Sequence, residues 1–270
     1  MPVKPMLTVL FLGDVVGKIG RKAVAAVLPQ WRDELRPDLV IANAENIAHG
    51  SGVTEKTLQE LIDAGVEIFT SGNHVFDKPE GEAMLSQKNS ILLRPINYPA
   101  GTPGVGLKLI EAGSRRLAVL NLIGRSFIKE AFDCPFRALD AALASPACKK
   151  ADAIIVDFHA ETTSEKAAFG WYAAGRVAAV LGTHTHVPTA DARVLPPGTA
   201  FVTDVGMAGA TDSVIGVGKD AAIAGFLTQR SQTFTIPESG EAMVNAVVLE
   251  INPRTGQAES IRRLDKIITV

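Results

Sequence analysis

Cysteine is nearly missing from this chain: Cys134 and Cys148 are the only two in 270 residues, and they form no pattern of paired spacings. That scarcity excludes a disulfide-stapled secreted scaffold and fits a reduced, cytoplasmic setting in which both thiols are buried or inert. An excess of cations is also missing. Lys and Arg number 27 against 29 Asp and Glu, a formal charge of -2. Long nucleic acid therefore has no electrostatic footprint to grip, although a small anionic substrate needs only a local field. No uncharged stretch approaches the roughly 20 residues that span a bilayer. The apolar run within MPVKPMLTVLFLG has the flavour of a signal peptide, but it is short and passes into GDVVG without a small-residue cleavage site, so it reads as a first strand. Repeats, low-complexity tracts and linkers are absent as well, and one domain over residues 1–270 is expected.

What is present is a globular composition, 47% hydrophobic and 21% charged, enough for one large core. Apolar runs of strand length recur at LTVLFLG (7–13), DLVIANA (38–44), VEIFTSG (66–72), RLAVLNLIG (116–124), ADAIIVDFH (151–159) and RVAAVLGT (176–183). Between several of them, RKAVAAVLPQWRDEL, VTEKTLQELIDAG and CPFRALDAALASPACKK repeat their apolar positions at three and four, which predicts helices and hence an α/β fold. Thr54 is placed to cap the second helix and Gly65 to stop it in a left-handed turn. After about residue 190 the Gly- and Pro-rich PPGTAFVTDVGMAGATDSVIGVGKD predicts loops and antiparallel strands. The tail VNAVVLEINPRTGQAESIRRL predicts a hairpin turning at NPRTG.

The polar residues fall where the strands end. Asp14 follows the first run, and Glu45 and Asn46 follow the second, with His49 just beyond. Asn73 and His74 follow the third; His159 ends the fifth; His184 and His186 follow the sixth. All five histidines of the chain lie in these segments. The carboxyl ends of parallel strands share one rim, where such folds bind ligands, so separate loops can meet in one pocket. In GTHTHVPTAD an extended backbone turns His184 and His186 to one face. Carboxylates, amide oxygens and imidazoles without thiolate describe a site for Fe, Mn or Zn and not a structural cysteine zinc. Seven such candidates are too many for one tetrahedral ion, whereas two ions sharing a carboxylate would use them, as in two-metal phosphoester hydrolysis.

In their order, GD…EN…GNH…H…H-x-H, these residues resemble the calcineurin-like metallophosphoesterases. FLGDVVGKIGR, ANAENIAHGSGVT, TSGNHVFD, VDFHAETTSEK and GTHTHVPTADARVL are more closely similar to the YmdB-type bacterial branch. The chain departs from the common pattern at three places. Val16 stands where a histidine is usual, Glu45 stands where the bridging aspartate is usual, and Thr183 is inserted before His184; the YmdB-type branch is similar in each. The resemblance implies an α/β/β/α sandwich, two facing mixed sheets flanked by helices. It implies one divalent or mixed-valence ion held by Asp14, Glu45, Asn46 and His186, and a second held by Glu45, Asn73, His159 and His184. Asn46 has the alternative of steadying Glu45 without touching metal.

The chemistry expected of such a site is in-line attack on a small phosphodiester by a metal-bridging hydroxide, and the resemblance implies 2′,3′-cyclic nucleotides as substrates. His74 is the candidate for stabilising or protonating the departing oxygen, with a purely structural role as its alternative. A phosphomonoesterase or nucleotidase on the same site, and a nucleotide-sensing regulator without turnover, are the competing readings. A zincin protease is excluded by the absence of H-E-x-x-H, and the early H-x-H of the barrel amidohydrolases is absent too. His49 divides between substrate contact and loop packing. Asp157 and Glu161 divide between orienting His159 and solvation, and Lys18 and Arg21 between phosphate contact and plain surface charge. The Gly-rich segment 204–218 fits a lid or part of a homo-oligomer contact, and the sequence does not choose.

Overall fold

The computed structural model describes residues 6–113 and 115–270; residues 1–5, the start of the signal-like stretch, lie outside it. Its first sheet contains β1 (Leu7–Val15), β2 (Leu39–Asn43), β3 (Ile68–Thr70), β10 (Met207–Ala210), β11 (Glu241–Asn252) and β12 (Gln257–Thr269) in the order β12-β11-β10-β1-β2-β3. The second contains β4 (Leu107–Ala112), β5 (Arg115–Ile123), β6 (Ala153–His159), β7 (Ala179–Thr183), β8 (Arg193–Leu195) and β9 (Thr199–Val202) in the order β4-β5-β6-β7-β9-β8. Both are mixed: β10, β1, β2 and β3 run parallel, as do β5, β6, β7 and β9, with antiparallel strands toward the edges.

Side-chain alternation builds the layers. Val9, Phe11, Leu39 and Ile41 of the first sheet pack against Leu117, Val119, Ile155 and Leu181 of the second, forming an apolar layer between them. The opposite faces also carry apolar residues, because helices cover them, which is why these strands read as continuous hydrophobic runs. Leu10 and Leu12 meet Ile19, Val24 and Leu28 of α1 (Gly17–Leu35) and Leu58 and Leu61 of α2 (Glu55–Ala64). On the far side Leu122, Val156 and Phe158 pack with α4 (Pro135–Leu143) and α6 (Thr163–Ala173). The result is the expected α/β/β/α sandwich. The remaining helices are α3 (Pro79–Leu85), α5 (Pro146–Lys150) and α7 (Lys219–Thr228).

Local chemistry explains the boundaries. Thr54 accepts from the amide of Thr57 while Thr57 Oγ1 accepts from the amide of Thr54, and Gly65 ends α2 at φ 106°. The tail is the expected hairpin, with Asn252 opposite Gln257. Three expectations need correction. The helix read through 134–150 is two helices, because Ser145 precedes Pro146 in an extended conformation and caps the second through Cys148. The region after 190 is not simply antiparallel: β9 runs parallel to β7, and β10 parallel to β1. Residues 204–210 of the Gly-rich segment are buried, four of them in β10, and do not form a lid. Helices α3, α6 and α7 and strand β4 are elements beyond those expected. Phe158 is fully buried and stacks on Phe169 at 4.2 Å; Phe158→Ala is expected to lower the unfolding free energy by about 3–5 kcal/mol, seen as a lower urea midpoint.

Candidate metal centre

Strand pairing brings the polar residues to one end of the sandwich. Asp14 pairs with Asn43 and Asn43 with Thr70 in the first sheet, while His159 pairs with Thr183 in the second. Two buried amides join the sheets at this end. Asn43 Nδ2 donates to Asp157 Oδ2 at 3.0 Å, and Asn121 both accepts from the amide of Ser71 at 2.9 Å and donates to its carbonyl at 3.0 Å. The loops after β2 and β3 are thus held over the ends of β6 and β7.

Between them sits a cluster of donor atoms. Glu45 Oε1 lies 3.1 Å from His159 Nε2, and His184 Nδ1 lies 2.9 Å from that same nitrogen. Ligand atoms of Glu45, His159 and His184 all fall within 4.8 Å of one another. Asp14 Oδ2 accepts from the amide of His184 at 3.0 Å, and Asp14 Oδ1 lies 3.8 Å from His159 Nδ1 and 3.9 Å from His186 Nε2. Asn46 Nδ2 reaches His186 Nε2 at 3.2 Å and Glu45 Oε1 at 3.3 Å; a half-turn of that amide would put its oxygen in the same place. Asn73 lies between Gly72, which abuts Glu45 and His159, and His74, whose amide donates to Glu45 Oε2 at 3.1 Å. Six of the seven residues read from sequence are joined by direct contacts, and the seventh flanks them.

The surroundings set which nitrogen of each ring is free. His159 Nδ1 donates to Thr183 Oγ1 at 2.9 Å, whose hydroxyl passes the bond to Asp157 Oδ1 at 2.7 Å, so Nε2 faces the cluster. His186 Nδ1 donates to the carbonyl of Ile215 at 2.8 Å, leaving Nε2 toward Asp14 and Asn46. His184 Nε2 pairs with Glu161 at 3.1 Å, leaving Nδ1 toward His159. Asp157 acts on His159 through Thr183, while Glu161 holds His184 and not the ring expected from sequence.

The extended backbone expected for His184 and His186 is not there. β7 ends at Thr183, and the two histidines take φ of 100° and 63°, a region that costs a residue with a β-carbon of order 1–3 kcal/mol. Asp204 imposes it. Its Oδ2 accepts from the amide and hydroxyl of Thr185 at 3.1 and 2.8 Å and is anchored by the buried ammonium of Lys166 at 2.6 Å. Neither Asp204 nor Lys166 stands out in the sequence, since neither is a donor type placed beside the histidines. The other sequence candidates fall elsewhere. Lys18 is exposed and pairs with Glu238, whereas Arg21 is buried between Glu60 and the Ile47 carbonyl, steadying the loop that carries Glu45. His49 is exposed with φ 58°.

Electrostatics favour a cation. Burial raises the Asp14 pKa, only partly offset by His186 and His159. Burial also opposes the charge on Glu45, yet the neighbouring His159 holds its carboxyl well below the usual range. Burial draws His159 down, but Glu45, Asp14 and Asp157 push it up to about 9; burial and the His159 charge lower His184 to about 3. Asp14 Oδ1 and Asn73 Oδ1 are buried without a hydrogen-bond partner among the described residues, and a buried acceptor left bare is costly unless something absent from the chain satisfies it. A methyl group on Gly72 would run into Glu45 Oε2 and His159 Nε2, so the cradle needs glycine. Oxygen and imidazole donors, bare acceptors and a space kept clear fit a metal ion.

The sandwich itself is a fold shared with 5′-nucleotidases. An NAD nucleotidase of Haemophilus influenzae shares the fold at TM-score 0.63, with 14% identity, over 98% of this chain and 56% of its own. A family model described as YmdB-like protein matches residues 10–264, and the chain belongs to that family. It is 44% identical over 258 residues, 96% of each chain, to the 2′,3′-cyclic-nucleotide 2′-phosphodiesterase of Bacillus subtilis strain 168. A Thermus thermophilus protein described only as hypothetical superposes at TM-score 0.90 with 44% identity, covering 97% of this chain and 99% of that one. A novel phosphatase of Mycoplasma pneumoniae does so at TM-score 0.90 with 36% identity, covering 97% and 94%. Divalent metal is implied by this family.

Gly72→Ala is expected to lower metal affinity about 10–100-fold with the circular dichroism spectrum unchanged. Elemental analysis after dialysis checks it, and full metal retention would mean the cradle is not the metal site.

Proposed function

We propose that the chain is a metal-dependent phosphodiesterase that hydrolyses small phosphodiesters, 2′,3′-cyclic nucleotides first among them. Asp14, Glu45, Asn46 and His186 hold one transition-metal ion and Glu45, Asn73, His159 and His184 the second, iron or manganese, with zinc as the further option. The observation that carries this reading is the convergence of buried carboxylates, amides and imidazoles on one space with Asp14 Oδ1 bare. Bound there, the metals supply charge neutralisation at the phosphoryl oxygens and make hydroxide available near neutral pH.

The chain's own residues do the rest. His74 is half-buried and lines the cavity beside Asn46 and His186. Its Nδ1 is engaged by Asp77 at 2.7 Å and by Ser51, which leaves Nε2 to face the departing oxygen and give it a proton. The positions of Glu45 and His74 are coupled, since the His74 amide donates to the Glu45 carboxylate. We read residues 1–270 as one domain in a reduced, cytoplasmic compartment, supported by the apolar layer the sheets share and by two free cysteines. No helix among the described residues is long and apolar enough to cross a membrane.

The test is a substrate panel of 2′,3′-cyclic nucleotides, mononucleotides and linear diesters with Mn²⁺ or Fe²⁺. Turnover of the cyclic diesters is expected, activity on monoesters alone would make the chain a phosphatase, and binding without turnover would make it a sensor. Glu45→Gln should lower metal affinity and kcat/KM at least about 100-fold. His74→Ala should lower kcat about 10²–10⁴-fold with metal content unchanged; loss of metal from that variant would remove His74 from the proton-donor role.

A further inference from the structure

The cavity that contains Asn46, His74 and His186 does not end at them. It extends over about 630 Å³ along a second wall made by α7 and the irregular segment after it. The lining residues Ala222, Gly225 and Phe226 of α7 and Gln229, which follows its last residue, recur at three and four, so one stripe of the helix faces this space. The chain then turns back, and Arg230, Ser231, Gln232 and Phe234 complete the wall. Ile236 fixes the far end of the segment, since its side chain fills the space that a methyl on Gly17 or Gly50 would occupy, and Glu238 pairs with Lys18 at 2.8 Å.

The wall carries two exposed aromatic side chains. Phe226 and Phe234 are 76% and 54% exposed, and among the described ring pairs neither packs against another aromatic. Both line the cavity. Beside them, Gln229 and Gln232 each donate one amide hydrogen to a neighbouring carbonyl, of Phe226 and Arg230, and keep their side-chain oxygens as acceptors. Exposed aromatic side chains next to free amide edges, continuous with a site for a phosphoryl group, match a planar heterocycle joined to a phosphoester by a short sugar.

We infer that Phe226 and Phe234 form the nucleobase subsite of this cleft and set its preference for nucleotides over other small diesters, with Gln229 and Gln232 facing the base edge. The inference rests on the phosphodiesterase reading for its phosphate end. Its effect is on ground-state binding, because the base is remote from the bonds that change.

Two measurements on the metal-loaded full chain test it. The first is the ratio of kcat/KM for adenosine 2′,3′-cyclic phosphate to that for glycerol cyclic 1,2-phosphate, which has no base. Phe226→Ala and Phe234→Ala should each reduce this ratio roughly ten-fold, through a raised KM for the nucleotide, and Phe226→Tyr should restore it. An unchanged ratio, or equal losses on both substrates, overturns the subsite. The second is calorimetric binding of adenosine 3′-phosphate against glycerol 2-phosphate. The parent chain should prefer the nucleotide and the alanine variants should lose that preference; a parent without preference overturns the inference. If the parent hydrolyses neither diester, the phosphodiesterase reading is what fails, and the binding comparison still decides the wall.

Discussion

Two buried carboxylates that no lysine or arginine among the described residues neutralises govern the architecture. Asp14 and Glu45 are almost wholly inaccessible, and the ion pairs they make are with imidazoles. Taking a carboxylate out of water costs several kcal/mol unless charge and hydrogen bonds are returned to it. The chain returns only part. Backbone amides of His184 and His74 reach one oxygen of each, His159 is drawn toward protonation between them, and among the described residues Asp14 Oδ1 is left without a hydrogen bond. A centre with that residual demand is built around a cation from outside the chain.

Holding the demand in place requires stiffness behind it, and the sandwich supplies this from both sheets. Asn43 links β2 to Asp157 on β6, Asn121 links β5 to the loop after β3, and the Asp157–Thr183–His159 relay fixes the central ring. The ion pair of Lys166 and Asp204 bends the segment after β7 so that His184 and His186 serve different sides of the cluster. Removing either member would strand a buried charge and release the bend together. The positive φ values of both histidines are strain that this pair sustains.

The sequence made the donors legible and left their supports hidden, for a physical reason. Metal-binding side chains must be of a few chemical types, and parallel strands deliver them at carboxyl ends, so Asp14, Glu45, His159 and the rest stand out by type and place. The strands with both faces covered were equally plain as unbroken apolar runs. Lys166 and Asp204 are ordinary charged residues in any linear reading, and only their contact makes them structural. The same holds for Arg21, read as a phosphate or surface cation and found locked between Glu60 and Ile47. Helix α7 was lost because only Ala222 on it is buried, so it lacks the packed face whose periodicity announces a helix.

That loose helix marks a division within one cleft. The floor is over-determined: each ring has its outer nitrogen engaged, Gly72 admits no side chain, and a shift of one donor disturbs several others. Along α7 and the segment after it to residue 236 only Ala222 is buried, and Phe226 and Phe234 stand largely exposed. Substitutions there change the shape and stacking surface offered to a ligand without reaching the carboxylates, because that wall is exposed and the carboxylates are buried. Chemistry fixed by burial and selectivity carried by a lightly packed edge can therefore vary independently, and the same floor can serve diesters that differ only in what hangs from the phosphate.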